Sequence, residues 1–453
     1  MQNCGLSLLV DLYELTMAQC YLHYKRNTLA TFDLFVRELP PNRSYLVAAG
    51  LEDVLNYIRT LRFSGEDIRY LKSKKLFSDN FLKYLTNFRF RGDIWAMPEG
   101  TIFFANEPVM RVTASIIEAQ IIESFLLNTI NLQTMIAAKA SRVVNASLGR
   151  AIFDFSLRRT HGVSAGIKVA RSSYIAGSSG TSNVLAAKLY KIPVVGTMAH
   201  SFVMSFKHEI DSFLAYSCTF PERTSLLVDT YDTKKGIENA INIGLYLKAK
   251  KHRLQAIRLD SGNIIALSRL ARKMLDKAGL NYVKIFASGN LDEFKIKEIL
   301  SRGGCVDNFG VGTNMGTSID APSLDVIYKI SEVTDDNGAF LPTMKLSKGK
   351  VTYPGRKQVF RVQDKGRRFT KDILGLEKET ARGRPLLIKV VSKGKIVYRS
   401  PSLDKIRRYL KKNLTRFPEE LKELYPGYKY PVIVSAQLRK LRQALARQLE
   451  KRQ

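Results

Sequence analysis

The apolar run Ile192-Pro193-Val194-Val195 leads into Gly196-Thr197-Met198-Ala199-His200-Ser201-Phe202, which presents one of only five histidines in 453 residues. A histidine at the carboxyl end of a parallel strand stands where α/β enzymes place reacting groups. Alone, it is equally a packed polar residue. Other strand ends supply companions. In Arg258-Leu259-Asp260-Ser261-Gly262, Arg258 and Asp260 share one face because alternate strand residues do. They form either an internal ion pair or a cation for a substrate anion beside a carboxylate for hydroxyls or Mg²⁺. Arg158 and Arg159 follow Asp154-Phe155 and offer a grip for a carboxylate or pyrophosphate. Asp229 adds a further carboxylate, and Asp232 reads as a helix-initiating residue.

Two turns have the composition of phosphate cradles. Phe309-Gly310-Val311-Gly312-Thr313-Asn314-Met315-Gly316 runs from a strand into glycines, which let backbone N–H groups approach an anion, with a helix start behind them. One unit earlier, Ala287-Ser288-Gly289-Asn290 offers a second small-residue turn.

The elements that must position these residues have one rhythm from about Ala151 to Gly316. Short apolar runs start at 151, 192, 226, 256, 283 and 308, between about 25 and 41 residues apart, with helix-like stretches such as Thr233–Lys251 between them. This is βα-unit spacing. It predicts an irregular (β/α) barrel in preference to an open doubly wound sheet, because every strand end carries polar or glycine residues. The flanks differ. Residues 28–115 alternate strand-like runs with short helices, Ile117–Ser147 reads as one long helix, and hairpin-like pieces follow Val326 (342–346, 358–362 and 386–390). Two amphipathic helices come last. The expected domains are residues 126–330 for the barrel, with 1–125 and 331–453 together forming an α+β domain.

A hydrophobic content of 45% with 25% charged residues is that of a globular chain. No apolar run reaches the roughly 18 residues of a membrane span, and no signal peptide is recognisable, so a cytoplasmic protein is expected. Cys4, Cys20, Cys218 and Cys305 lack metal-type spacing and read as free thiols. Of the net charge of +31, +22 lies from Leu341 onward. That excess reads as a solvated basic face suited to anionic substrates. Its alternative, a nucleic-acid surface, has no fold motif to support it.

The segments DLYELTM (11–17), FDLFVRELPPNRSYLVAAGLEDVL (32–55), DFSLRRTHG (154–162), GTSNVLAAKLY (180–190), GTMAHSF (196–202), VDTYDT (228–233), RLDSGN (258–263), FGVGTNMGTS (309–318) and KLSKGKVTYPGRKQV (345–359) resemble, in order, the nicotinate phosphoribosyltransferase family. That resemblance, to a type II phosphoribosyltransferase fold, implies attack of nicotinate on C1 of phosphoribosyl pyrophosphate. Mg²⁺ is implied as cofactor and ATP as co-substrate, with ATP hydrolysis coupled through a phosphohistidine at His200. It implies that Phe155 stacks on the pyridine ring. It also implies that Tyr13 covers the other face from a second copy of the chain, giving a homodimer with shared active sites. Arg158 and Arg258 fall near the nicotinate carboxylate and the reacting ribosyl group, Asp260 at the ribose hydroxyls, and Thr197 near substrate. Gly289, Gly312 and Thr313 fall at the 5′-phosphate, and Ser288 at a substrate-binding position. Ser182 stands where the related nicotinamide enzymes carry an Asp, and a hydroxyl donates to a carboxylate that an Asp would repel. The rival readings are a nicotinamide phosphoribosyltransferase and an inactive scaffold that binds nucleic acid. The residues that hold Mg²⁺ are not indicated.

Overall fold

The computed structural model describes residues 5–347, 352–425 and 427–451. Cys4 and residues 348–351 of the segment 345–359 lie outside the described residues. The chain divides into two compact units, one of residues 136–322 and one of residues 1–135 with 323–453.

The first of these rests on a parallel sheet of six strands. They are β1 (Ala151–Asp154), β2 (Gly180–Thr181), β3 (Ser225–Leu227), β4 (Ala256–Leu259), β5 (Lys284–Ala287) and β6 (Asn308–Val311). Their spatial order is β2-β1-β6-β5-β4-β3, every pairing parallel. The sheet curls into a half-barrel, the irregular form of the barrel that the spacing predicts, and among the described residues no ladder joins β3 to β2. Helices α1 (Val163–Ile175), α2 (Val184–Tyr190), α3 (His200–Met204), α4 (Glu209–Thr219), α5 (Thr233–Ala249), α6 (Ile264–Lys277), α7 (Glu293–Ser301) and α8 (Thr313–Gly316) alternate with the strands.

Local chemistry explains these boundaries. Asp232 caps α5 by accepting from the Lys235 N–H at 2.7 Å, and Asn263 caps α6 by accepting from the Ala266 N–H at 3.2 Å. Ile237, Ala240, Ile243 and Leu247 of α5 and Ala271 and Leu275 of α6 are buried with Leu226, Ile257 and Ile285 of the sheet. Each such leucine or isoleucine side chain contributes about 1.5–3 kcal/mol on burial. At Gly236 a side chain has no room, since a Cβ there would stand 2.1 Å from the Val228 carbonyl oxygen.

One expected strand is absent. Ile192–Val195 makes a single parallel bridge, Val194 to Thr181. The Thr181 N–H donates to the Pro193 carbonyl and the Val195 N–H to the Thr181 carbonyl, both at 3.0 Å. Pro193 has no N–H with which to extend the ladder, and Gly180–Thr181 takes the place in the sheet instead. His200 therefore does not follow a strand end directly. It is the first residue of the short helix α3, reached through the loop 196–199.

The discontinuous unit holds a seven-stranded antiparallel sheet with Leu29–Val36 between Val326–Thr334 and Pro108–Ser115. A four-stranded sheet is centred on Lys357–Gln363 and Phe369–Leu376. Of the three hairpin-like pieces, 358–362 lies inside a strand, 386–390 is shifted to Ile388–Ser392, and 342–346 is a strand only at its start, Phe340–Pro342. The long helix breaks at Ile122 into Ile116–Ile121 and Glu123–Ala146. The closing helices Leu403–Leu414 and Ala436–Glu450 are present. Leu403–Leu414 buries Ile406, Leu410 and Leu414 while Arg408, Lys411 and Lys412 are exposed, so its charge is a solvated face. Cys20, Cys218 and Cys305 are free thiols. No helix among the described residues is long and apolar enough to cross a membrane.

Candidate active site

Arg258, on β4, is the hub at the carboxyl ends of the strands. Its Nη2 donates to Asp260 Oδ1 at 2.5 Å, its Nε to Ser288 Oγ at 2.8 Å, and its Nη1 to Thr197 Oγ1 at 3.1 Å and the Met198 carbonyl at 3.3 Å. One guanidinium thus joins three segments that lie far apart in sequence. Ser288 Oγ also donates to Asp260 Oδ1 at 2.5 Å. Burial alone would raise the Asp260 carboxyl, but the Ser288 hydroxyl, the Arg258 guanidinium and His200 outweigh it and hold it below the usual carboxylate range. The second Asp260 oxygen lies 3.9 Å from His200 Nε2, and His200 Nδ1 meets Thr230 Oγ1 at 3.1 Å. The imidazole is 40% exposed, enough to meet an incoming group.

Asp229 supports this arrangement from below. Its Oδ2 accepts from the Asp260 N–H at 2.9 Å and from the Ser261 hydroxyl at 2.6 Å, while its buried Oδ1 has no hydrogen-bond partner among the described residues. Glu209, at the start of α4, accepts from Asn239 Nδ2 at 2.9 Å. Burial, with Asp232 and Asp229 nearby, pushes its carboxyl up.

Phe155 follows β1 and stacks on Phe286, with ring centroids 5.5 Å apart, and the Arg258 guanidinium carbon lies 5.7 Å from its ring. The glycines of the 309–316 run serve this ring and its neighbour. A Cβ on Gly310 would stand 2.6 Å from the Phe155 ring, and one on Gly316 would stand 2.2 Å from Ser156 Cβ. Gly310 and Gly316 are thus required by packing, and α8 is a single turn, so its dipole adds little. In the companion turn Gly289 has φ +92°, and a Cβ there would stand 1.8 Å from the Asp260 carbonyl oxygen. Asn314 Nδ2 crosses between the turns to the Leu291 carbonyl at 3.1 Å and to Asn290 Oδ1 at 3.2 Å.

Asp154 went unrecognised as a site-building residue. Buried at the end of β1, it accepts from the Ser156 N–H at 3.0 Å and hydroxyl at 2.5 Å, and from Thr181 Oγ1 at 2.8 Å. Burial still raises its carboxyl against these bonds. It fixes the Phe155 segment against β2, and the Ser182 N–H donates to its carbonyl at 2.9 Å. Hydroxyls two residues after it and at a neighbouring strand end were the available signal.

The sequence-derived set divides accordingly. His200, Thr197, Arg258, Asp260, Ser288, Gly289 and Phe155 are brought together, with Gly312 against the Phe155 carbonyl. Ser182 adjoins through Asp154. Arg158 lies exposed on the turn Leu157–Arg159 and makes no ion pair among the described residues. Tyr13, on helix Leu12–Tyr24 of the discontinuous unit, is half exposed; partial burial and Glu123 raise its phenol. No cluster of three or more His, Cys, Asp or Glu among the described residues has the geometry of a metal cage.

An arginine-held carboxylate, an imidazole and two small-residue turns thus lie together at the carboxyl ends of the strands of a parallel half-barrel. The nicotinate phosphoribosyltransferase N-terminal domain matches residues 8–131, the nicotinate phosphoribosyltransferase family residues 151–357, and the nicotinate phosphoribosyltransferase C-terminal domain residues 380–442. The chain is 47% identical to nicotinate phosphoribosyltransferase pncB2 of Mycobacterium tuberculosis, over 96% of this chain and 92% of that one. It is 36% identical to the nicotinate phosphoribosyltransferase of Bacillus subtilis, over 95% and 93%. The crystal structure of human nicotinic acid phosphoribosyltransferase is similar with a TM-score of 0.86 at 26% identity, covering 97% of this chain and all of that one. The chain belongs to the nicotinate phosphoribosyltransferase family.

Proposed function

We propose that the protein is a nicotinate phosphoribosyltransferase of NAD salvage, forming nicotinate mononucleotide and pyrophosphate from nicotinate and phosphoribosyl pyrophosphate. The observation that carries the residue-level reading is the single cluster in which Arg258 joins Asp260, Ser288 and Thr197, with His200 facing Asp260.

The pyridine nitrogen is a neutral nucleophile that attacks C1 of the ribosyl group as the C1–pyrophosphate bond breaks. Catalysis then rests on positioning and on stabilising the cationic sugar. Phe155, backed by Phe286, offers a flat face to the pyridine ring. Asp260, held ionised, stands for the ribose hydroxyls and the developing positive charge. Arg158 and Arg258 serve the nicotinate carboxylate and the reacting end, Thr197 and Ser288 contact substrate, and Gly289, Gly312 and Thr313 receive the 5′-phosphate. Tyr13 of a second copy closes the site in a homodimer. Asp260 and Asp229 would supply the one or two protein carboxylates that a Mg²⁺ ion needs, and the ion would neutralise phosphate charge.

ATP enters through His200. With the Nδ1–H donating to Thr230, Nε2 keeps its lone pair and attacks the γ-phosphorus, ADP leaves, and water later releases phosphate from the phosphohistidine. The Ser182 hydroxyl donates to the nicotinate carboxylate, which favours the acid over the amide. The free thiols suit a cytoplasmic location.

The test offers nicotinate or nicotinamide with phosphoribosyl pyrophosphate and Mg²⁺, each with and without ATP. Nicotinate mononucleotide formed preferentially and stimulated by ATP is the expected result. Preference for nicotinamide overturns the role of Ser182, and absence of any nucleotide overturns the reaction.

A further inference from the structure

The turns after β5 and β6 are held to each other by two ties that neither contact Arg258, Asp260 or His200 nor belong to the residues assigned to substrate. The upper tie is Asn314, which is 7% exposed. Its Nδ2 donates to the Leu291 carbonyl at 3.1 Å, to Asn290 Oδ1 at 3.2 Å and, more weakly, to the Asn290 carbonyl at 3.4 Å. The turn it grips carries two consecutive left-handed residues, Gly289 at φ +92° and Asn290 at φ +48°. A non-glycine residue in that region persists only where its surroundings enforce it.

The lower tie is Lys139, 1% exposed, on helix Glu123–Ala146. Its ammonium stands 2.6 Å from Glu293 and 2.9 Å from Asp320. Glu293 is the first residue of α7, directly beyond the Gly289 turn, and Asp320 lies four residues beyond the end of α8. Arg142 Nε adds a second donor to Glu293 at 3.0 Å. Buried charges such as Lys139 and Glu293 are poor sources of stability compared with apolar packing. Their use here, on the same two segments that Asn314 spans, suits them to fixing geometry.

We propose that Asn314 and Lys139 set the separation of the two turns, and that Asn314 is thereby a positioning residue for the phosphoribosyl end of the substrate. This rests on the reading that these turns receive the 5′-phosphate. Asn314 does not touch substrate; it holds the backbone N–H groups of the Gly289 turn at the spacing that one phosphate, shared with Gly312 and Thr313, requires.

The experiment measures steady-state kinetics of Asn314→Asp with Mg²⁺, nicotinate and varied phosphoribosyl pyrophosphate, alongside thermal unfolding. The substitution keeps the shape and replaces the donor by an acceptor facing three oxygens. The expected result is a KM for phosphoribosyl pyrophosphate raised at least about tenfold, with kcat and the KM for nicotinate changed less than about threefold. Asn314→Ser, which keeps one short donor, should fall between, and it is read by the same criteria if Asn314→Asp does not fold. A KM for phosphoribosyl pyrophosphate within about twofold of the parent, or kcat and both KM values moving together, overturns the positioning role while the parent's activity leaves the reaction standing. A parent that forms no nicotinate mononucleotide overturns both.

Discussion

Gly289→Ala tests the close packing of the site most directly. The glycine has φ +92°, a conformation costing a side chain roughly 1–2 kcal/mol. The larger effect is steric. The new Cβ would stand 1.8 Å from the Asp260 carbonyl oxygen, whereas real Cβ atoms keep at least about 3.0 Å. One of the two backbones must retreat by more than 1 Å. Neither can do so alone, because Ser288 Oγ bonds Asp260 Oδ1 and Arg258 Nε bonds Ser288. The carboxylate, the guanidinium and the phosphate turn therefore move together. A displacement of about 1 Å of positioning groups costs on the order of 100-fold in rate. Steady-state assays should show kcat/KM for phosphoribosyl pyrophosphate falling by about that factor, with far-ultraviolet circular dichroism unchanged. A kcat/KM within threefold of the parent would show that the turn relaxes freely, and the reasoning from contact to catalysis would fail.

His200→Ala should abolish ATP hydrolysis coupled to transfer while a slower, ATP-independent synthesis remains; ADP release measured beside nucleotide formation decides it, and undiminished coupling removes His200 from the mechanism. Ser182→Asp should lower kcat/KM for nicotinate by about tenfold or more through charge repulsion, and an unaffected value refutes that role. Burial, reinforced by Glu123 and Asp11 and opposed by the Ser124 hydrogen bond, raises the Glu14 carboxyl from 4.5 to about 8. Its folded-state value lies above its unfolded one, so this contribution is complete below about pH 4.5 and is lost as pH rises through 8. Glu14→Gln should therefore raise the melting temperature at pH 9, on the order of 2 °C or more, with a smaller or opposite change at pH 5.5; equal shifts at both values would contradict the assignment.

The half-barrel was legible because its strands are short apolar runs at βα spacing, and five of the six expected runs are strands. The sixth failed on Pro193, which removes the donor that a ladder needs and leaves Gly180–Thr181, a turn-like sequence, to pair instead. Arg258 and Asp260 were legible from strand alternation alone. Their meeting with Thr197 and Ser288 was not, since nothing local encodes contacts across 30 to 61 residues. The glycine run was read too simply. Gly310 and Gly316 are small to admit the Phe155 ring and Ser156, and such tertiary crowding leaves no mark on the pattern. Asp154 was hidden for the same reason, since its tie to Thr181 on another strand leaves no mark in the local sequence.

The sheet of the discontinuous unit pairs Ala30 with Val333 and Val36 with Val326. A growing chain therefore makes the strand Leu29–Val36 some 300 residues before the second of its two neighbours exists, Pro108–Ser115 being the first. The unit of residues 136–322 is complete in sequence just before the strand Val326–Thr334 emerges and can form while synthesis continues. The amino-terminal segment must wait, its strand edge uncovered, until residues beyond 323 emerge to close the sheet. Birth order thus makes the amino-terminal segment dependent on the last third of the chain, and truncations from the carboxyl end should uncover one edge of the strand Leu29–Val36.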